Sequence, residues 1–244
     1  MTIAAAPSIV VVVFPGTWSE RDFADLAGAL GWEARLVWHT EAELGEADAV
    51  VLPGGFAHGD HLRTGALARF SPIMAAVGEF AAAGGPVLGS CNGFQVLTEA
   101  GLLPGALLRN DHLEFRCDWQ WLRCERGYGP WLGGLEAGDR IRLPISHGEG
   151  RYFADEATLD ELERSGRVVL RYSDAAGTVT EAANPNGSLR GIAGIVNQRG
   201  NVLGLMPHPE RAADLELGGD DGLRLFRSLE RWLQELPAAA ERRL

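Results

Sequence analysis

Cys91 lies in the segment GSCNGFQ, which follows an apolar run and leads into a stretch of helical character. Gly89 and Gly93 flank it with a gap of one residue on each side. Small neighbours permit the sharp strand-to-helix bend of a nucleophile elbow, here with sulfur in place of a hydroxyl. A free cysteine can also be a small buried hydrophobe. The two glycines and the strand-to-helix setting favour a nucleophile, whose thiolate form the positive end of the helix would stabilise.

A nucleophilic cysteine needs a base, and the base needs a group that orients it. Of the six histidines, His208 stands directly after an apolar run, between Pro207 and Pro209, and Glu210 follows two residues later. The prolines stiffen this segment, so that imidazole and carboxylate keep a fixed relation. One ring nitrogen could donate to the carboxylate while the other faces the sulfur. The sequence therefore predicts a Cys91–His208–Glu210 triad.

The remaining histidines give weaker signals. His58, Asp60 and His61 have a spacing that a metal ion could use, but no CxxC or second histidine pair accompanies them. We therefore predict no metal site and interpret the segment as an ordinary loop. His147, in a polar glycine-rich stretch after a strand, is either a substrate-binding residue or a plain loop residue.

Composition and charge limit the function classes. The 244 residues are 46% hydrophobic and 23% charged, which is typical of a globular chain with a full core. The formal net charge of −11 makes nucleic acid an unfavourable partner. Three cysteines without framework spacing indicate a reducing compartment. Without a signal peptide or a run of about 18 apolar residues, we expect a cytoplasmic protein that does not enter the membrane.

The first hundred residues alternate between predicted strands and helices. Ser8–Phe14 is a continuous β-branched run, typical of a strand buried on both faces. Ser19 is expected to cap a first helix, with Asp22 three residues later. Further strands end in the Gly-rich turns LPGGF and GSCNGF. This pattern predicts a doubly wound parallel sheet, in which ligand sites lie beyond the carboxyl ends of the strands.

The second half of the chain follows a different pattern. In LEFRCDWQWL, apolar residues alternate with polar ones from Leu113 onward, as in a strand with one solvated face. Cys117 falls on the apolar stripe, and we expect both Cys117 and the nearby Cys124 in the core. NQRG between two apolar runs predicts a hairpin turn. We therefore predict additional antiparallel strands and one compact domain over residues 1–244.

The motifs resemble a known family over nearly the whole chain. The matching segments are, in order, FPGT, LPGGFAHGDHLRTGALA, GSCNGFQVLTEAGLLPGALLRN, PISHGEGRY, NPNGSLRGIAGI and GNVLGLMPHPER. They are similar to the glutamine amidotransferase subunits of phosphoribosylformylglycinamidine synthase, a branch of the class I glutamine amidotransferases. The cysteine elbow and HPE alone would indicate only the class, whereas LPGGF, CNGFQ and NPNGS indicate this branch. The resemblance implies a flavodoxin-like fold.

The resemblance also implies residue roles. Cys91 would attack the side-chain amide of L-glutamine, His208 would move the protons, and Glu210 would orient His208. The backbone N–H groups of Gly55 and Asn92 would bind the oxyanion. Further substrate-binding residues would be Phe56, Gln95 and His147.

The expected partners follow from the same resemblance. Ammonia would pass to a large synthetase subunit that binds ATP, Mg and the ribonucleotide substrate, and a small third subunit is usual. This chain shows no P-loop pattern and needs no cofactor of its own.

Some positions depart from the family pattern. FPGTWS, with Trp18 and Ser19, replaces the usual FPGSNC or FPGTNC, and Ser90 stands where a larger or apolar residue is usual. His58 and His61 occupy positions that are often aromatic. We expect these departures to leave the triad untouched and to affect partner docking or substrate entry.

Two other hypotheses remain open from the residues. A stand-alone hydrolase or deglycase of the cysteine-elbow type would place its carboxylate in an early strand turn and would not need HPE. A non-catalytic regulatory or scaffold domain would need neither CNG nor HPE at strand ends.

Overall fold

The computed structural model describes residues 6–235. A nine-stranded sheet runs through the molecule in the order β2-β1-β3-β4-β11-β10-β9-β6-β7. Its strands are β1 Ser8–Val13, β2 Glu33–Trp38, β3 Ala49–Leu52, β4 Val87–Ser90, β6 Arg116–Cys124, β7 Arg140–His147, β9 Val168–Ser173, β10 Ile192–Val196 and β11 Val202–Leu205. A separate pair is formed by β5 Ala106–Leu108 and β8 Arg151–Phe153. The outermost residues of the domain predicted over 1–244 lie outside the described range.

Helices cover the two faces of this sheet. They are α1 Glu20–Ala29, α2 Ile73–Ala82, α3 Asn92–Glu99, α4 Gly129–Leu132, α5 Glu156–Arg164 and α6 Leu223–Glu235. Two large apolar clusters result, one on each side of β1, as alternate residues of that strand show: Val11 packs in one cluster and Val10 in the other. Within residues 6–235, no helix has the length and apolar character needed to cross a membrane.

The first half of the sheet is parallel. Strands β2, β1, β3, β4 and β11 all run in one direction, so their carboxyl ends meet at one edge. The two Gly-rich turns after β3 and β4 lie there together with the segment after β11. This arrangement, with four further antiparallel strands, confirms the predicted doubly wound, mostly parallel α/β fold with added antiparallel strands.

The antiparallel half curls back toward this edge. Although β7 is the last strand in the hydrogen-bonded order, its Pro144 carbonyl accepts the His208 N–H at 2.8 Å. The Ser146 carbonyl lies 3.7 Å from the Cys91 sulfur. The end of β7 therefore forms a wall over the carboxyl ends of β4 and β11.

The face of β6 that was predicted to be buried is not the face that the structure buries. Leu113, Phe115 and Cys117 are exposed, whereas Leu122 and Cys124 are buried. The strand pairs with β7 along Arg116–Arg123 but with β9 only from residue 121 onward, so its first part projects beyond the core. The core prediction therefore holds for Cys124 and is wrong for Cys117.

Ser19 does not cap α1 through its side chain, contrary to the expectation from the capping pattern. Its hydroxyl instead accepts the Gly54 N–H at 2.9 Å, in the turn after β3. A residue that looks like a local helix signal thus connects two turns at the carboxyl edge of the sheet.

Candidate active site

Cys91 occupies a strained turn between β4 and α3. Its backbone has φ 51° and ψ −106°, a conformation that non-glycine residues rarely adopt and that accumulates at functional sites. The flanking residues must be glycine because a side chain at either position would collide with neighbouring atoms. A Cβ on Gly93 would lie 1.9 Å from the Leu52 carbonyl oxygen, and one on Gly89 would lie 2.7 Å from the Gly93 backbone. The elbow expected from the sequence is therefore present, and Cys91 is 4% exposed.

His208 and Glu210 form a buried pair next to this elbow. The His208 Nδ1 atom lies 2.7 Å from Glu210 Oε1, and both side chains are fully enclosed. The His208 Nε2 atom is buried and has no hydrogen-bond partner among the described residues. Burial lowers the pKa of His208, but the Glu210 carboxylate and the Cys91 sulfur raise it, with a net upward shift. The structure thus brings together the three residues predicted as a triad, although Cys91 is far from the other two in the chain.

Two of the family departures contact this triad, contrary to expectation. The Ser90 hydroxyl lies 3.1 Å from Glu210 Oε2. The Trp18 ring lies 5.4 Å from the His208 ring, centroid to centroid, and the Arg211 guanidinium lies 3.9 Å from the Trp18 ring centroid. Sequence reasoning missed both contacts because neither Ser90 nor Trp18 is near His208 in the chain.

The Gly55 backbone N–H takes no part in the hydrogen bonds that hold its turn. Residues 54–56 pair with residues 16–18 through Trp18 N–H to Gly54 O and Phe56 N–H to Gly16 O. In this pairing the intervening Gly55 N–H points away from its neighbour strand. A Cβ on Gly54 would lie 2.5 Å from His208 Cε1, so glycine at 54 allows the ring to approach the turn.

The Asn92 side chain holds this turn against α3. Its Oδ1 accepts the Ala57 N–H at 3.0 Å, and its Nδ2 donates to Gln95 Oε1 at 2.8 Å and to Asp60 Oδ1 at 3.3 Å. Asn92 was predicted for its backbone N–H only. The side-chain bonds fix the position of the loop that carries Gly55 relative to the nucleophile.

A cavity of about 170 Å³ opens at Cys91. It is lined by Gly55, Phe56, Asp60, Thr64, Cys91, Gln95, Phe115, Ser146, His147, Gly148 and Glu149. Phe56 is 46% exposed and forms part of the mouth. Gln95 is buried, and its amide is already paired, since Nε2 donates to the Glu149 carbonyl at 2.6 Å.

His147 lies at the cavity as a buried, uncharged side chain. Burial, followed by the charge of His208, lowers the pKa of His147 to about 3. Its ring packs on Gly150, where a Cβ would approach it to 2.4 Å, and its Nδ1 has no partner within the described range. The His147 ring therefore forms part of the cavity wall.

Two acidic side chains line the cavity and were not predicted as site residues. Burial is the main cause that raises the pKa of Asp60 to about 6, and the negative charge of Glu149 adds to it. From the sequence, Asp60 is indicated only as a possible metal ligand, because of its spacing from His58 and His61. Within residues 6–235, no three histidine, cysteine or acidic side chains come together as a metal ion would require.

Comparison with protein families gives a match over almost the whole described range. Residues 6–233 match the model of the CobB/CobQ-like glutamine amidotransferase domain. A relative from Thermomicrobium roseum, phosphoribosylformylglycinamidine synthase subunit PurQ, is 57% identical over 90% of this chain and 93% of its own length. The PurQ subunit of Gloeobacter violaceus is 58% identical over 90% of this chain and 95% of its own.

Solved structures agree with this assignment. A chain in the structure of PurLQS from Thermotoga maritima superposes with a TM-score of 0.83 at 40% identity, over 94% of this chain and all of that chain. A glutamine amidotransferase from Thermotoga maritima, 18% identical with a TM-score of 0.54 over 94% of this chain and 82% of its own, shares the fold. The chain therefore belongs to the CobB/CobQ-like glutamine amidotransferase family, in the group of the PurQ subunits of phosphoribosylformylglycinamidine synthase.

Proposed function

We propose that this chain is the glutamine-hydrolysing subunit of phosphoribosylformylglycinamidine synthase and supplies ammonia for purine biosynthesis. One observation carries the proposal: Cys91 lines a cavity, and its sulfur lies close enough to a buried histidine to raise the pKa of that imidazole, whose Nε2 has no hydrogen-bond partner among the described residues. The other nitrogen of that histidine is held by a buried carboxylate. This is the division of labour that nucleophilic acyl transfer needs.

Acylation begins when the Cys91 sulfur attacks the Cδ carbon of the glutamine side chain. His208 Nε2 takes the thiol proton, and Glu210 stabilises the imidazolium that results. The carbonyl oxygen becomes an oxyanion and accepts hydrogen bonds from the Gly55 and Asn92 backbone N–H groups. Such preorganised donors stabilise developing charge without any rearrangement at the moment of reaction.

Ammonia leaves when the tetrahedral intermediate collapses. The C–N bond breaks, and His208 Nε2 returns the proton to the departing nitrogen, which leaves a glutamyl thioester on Cys91. A water molecule then loses a proton to His208 and attacks the thioester. The C–S bond breaks, the sulfur recovers the proton, and glutamate is released.

The acidic lining of the cavity fits the amino end of glutamine. We assign Asp60 and Glu149 to the α-ammonium group, because a partly buried carboxylate gains most from an opposite charge. Phe56 and His147 would line the path of the substrate's methylene groups. Gln95 would act through the wall that it builds with Asn92 and the Glu149 carbonyl.

The partners follow from the relatives. The ammonia acceptor would be the large synthetase subunit, which binds ATP and Mg, and the PurLQS neighbour supports a complex that also contains a small third subunit. We place the complex in the cytoplasm, and the three unpaired cysteines fit a reducing compartment.

The proposal is tested by combining the chain with the synthetase subunits of its relatives' enzyme and supplying glutamine, ATP and formylglycinamide ribonucleotide. We expect glutamine-dependent product formation, and labelling of Cys91 by a diazo-ketone analogue of glutamine from which glutamine protects. Labelling without glutamine protection would instead indicate a stand-alone hydrolase. Absence of both labelling and product would contradict an enzymatic function.

A further inference from the structure

We propose that Ser90 is a positioning residue of the glutaminase site, whose hydroxyl holds the second carboxylate oxygen of Glu210 and thereby aims His208 at Cys91. The inference rests on the proposed function and adds to the predicted triad a residue that supports it. Ser90 is fully buried, and its Oγ atom lies 3.1 Å from Glu210 Oε2 and 3.4 Å from Glu210 Oε1.

The serine proton can be assigned by elimination. Four polar atoms surround the hydroxyl: the two Glu210 carboxylate oxygens, and the Pro207 carbonyl oxygen and His208 Nδ1, both at 3.4 Å. His208 Nδ1 already donates to Glu210 Oε1 and is not an acceptor. Of the remaining oxygens, Glu210 Oε2 is the nearest, and a carboxylate oxygen accepts more strongly than the Pro207 carbonyl, so the hydroxyl donates to Oε2.

Glu210 depends on this donor. Its Oε1 accepts from His208, and among the described residues Ser90 alone donates to its Oε2. The carboxylate is enclosed on all sides, so water does not replace a lost partner. A buried charged oxygen without a donor is costly, and the carboxylate would rotate or take up a proton. Either response disturbs the bond that orients His208.

The position of Ser90 explains why this residue can link the two halves of the site. It is the last residue of β4, directly before Cys91, and pairs with Leu205 at the end of β11. The Cys91 N–H donates to the Leu205 carbonyl at 2.8 Å. The nucleophile and the segment that carries His208 and Glu210 are thus tied twice, once through the backbone and once through the serine hydroxyl.

The test compares substitutions in the assembled enzyme, with wild-type, Ser90→Ala, Ser90→Thr and Ser90→Val chains combined with the synthetase subunits. Thr and Val have nearly the same shape, so their difference reports the hydroxyl alone. Glutamine-dependent kcat and glutamine KM are measured, with ammonia-dependent synthesis as the check on folding and assembly. Ser228→Ala is the control, because Ser228 is also a buried serine, which lies on α6 and is bonded to Gly134 and Arg224.

We expect Ser90→Ala to lower the glutamine-dependent kcat about tenfold and to leave the glutamine KM within about twofold. The Ser90→Thr chain should exceed the Ser90→Val chain by a similar factor, while Ser228→Ala and all ammonia-dependent rates stay near wild type. Equal kcat for Thr and Val would overturn the inference, as would a Ser90→Ala chain that keeps more than half the wild-type kcat. If Ser90→Thr or Ser90→Val prevents folding, the kcat of the Ser90→Ala chain alone tests the inference. A wild-type complex that made no product from glutamine would contradict the proposed function instead.

Discussion

At the residue scale, the two ring nitrogens of His208 have different surroundings. Nδ1 donates to a buried carboxylate, and Nε2 is left for the sulfur and the substrate. The opposing effects on the pKa of His208 describe the same arrangement: burial disfavours the imidazolium, while Glu210 and Cys91 favour it more. Glu210 thus favours a charged imidazole at this buried position.

We predict that Glu210→Gln lowers the glutamine-dependent kcat by about 100-fold or more. The amide keeps the shape of the side chain but removes the charge that stabilises the imidazolium formed in the reaction. Ammonia-dependent synthesis in the same complex should be unaffected. The measurement is steady-state synthesis with either nitrogen donor, and a glutamine-dependent rate within threefold of wild type would refute the role assigned to Glu210.

The assigned role of Asp60 predicts a pH-dependent glutamine KM. The pKa of Asp60 is raised to about 6, chiefly by burial, so the carboxyl group is charged above pH 6 and neutral below it. Since only the charged form attracts the α-ammonium, the KM should rise as the pH falls through 6. Asp60→Asn should raise the KM at pH 7.5 about tenfold and remove this dependence.

The KM is measured between pH 5 and pH 8 with the synthetase subunits present. Glu46→Gln, a change outside the cavity lining, serves as the control and should keep the wild-type profile. An Asp60→Asn enzyme with the same KM profile as wild type would show that Asp60 does not bind substrate.

At the element scale, the contact between β3 and the elbow makes glycine necessary at residue 93. We predict that Gly93→Ala destabilises the chain by about 3 kcal/mol or more, because the new methyl group would overlap the Leu52 carbonyl. Gly28→Ala, in the last turn of α1, where the added Cβ meets nothing within 4 Å beyond its chain neighbours and the backbone of its own helix, should instead stabilise by about 0.5–1 kcal/mol. Denaturant unfolding of both variants measures the two changes. Equal stabilities would contradict the packing described for the elbow.

The parallel strands and the elbow could be predicted because their signals are local. Ser8–Val13 is continuous and β-branched, and Gly89 and Gly93 mark the bend around Cys91 in the sequence itself. The buried face predicted for β6 was wrong because burial there depends on where β9 stops pairing with it. The local sequence pattern does not contain that information.

The contacts that complete the site depend on residues distant in the chain. Ser19 has the local pattern of a helix cap but bonds Gly54, 35 residues away. Ser90 and Glu210 meet only because β4 and β11 are neighbours in the sheet, and their separation is 120 residues. Motifs could therefore identify the triad residues, whereas the residues that support them required the topology.

At the scale of the whole molecule, the loop after β3 is a point where a partner could act on the site. His58, Asp60 and Leu62 all have positive φ values, and Leu62 is 79% exposed. The same loop follows the Gly55 amide and contacts Asn92. A strained loop at a functional site with an exposed apolar residue is suited to adjustment on complex formation.

We therefore predict that the isolated chain hydrolyses glutamine slowly and that the synthetase subunit raises its kcat at least about tenfold. Ammonia released without an acceptor would waste glutamine, so activity should depend on assembly. Glutamate production is measured with the chain alone and after titration with the synthetase subunits. A chain that hydrolyses glutamine alone as fast as in the complex would disprove this coupling.

The most direct test of the central claim is the nitrogen-donor dependence of a Cys91→Ala complex. Product formation is measured with glutamine and, separately, with an ammonium salt, for the wild-type and variant chains assembled with the same synthetase subunits. We predict that the variant loses glutamine-dependent synthesis by about 1,000-fold or more while its ammonia-dependent rate stays within about twofold of wild type. A variant that still used glutamine, or that lost both activities although it assembled normally, would contradict the account of Cys91 as the nucleophile that supplies ammonia.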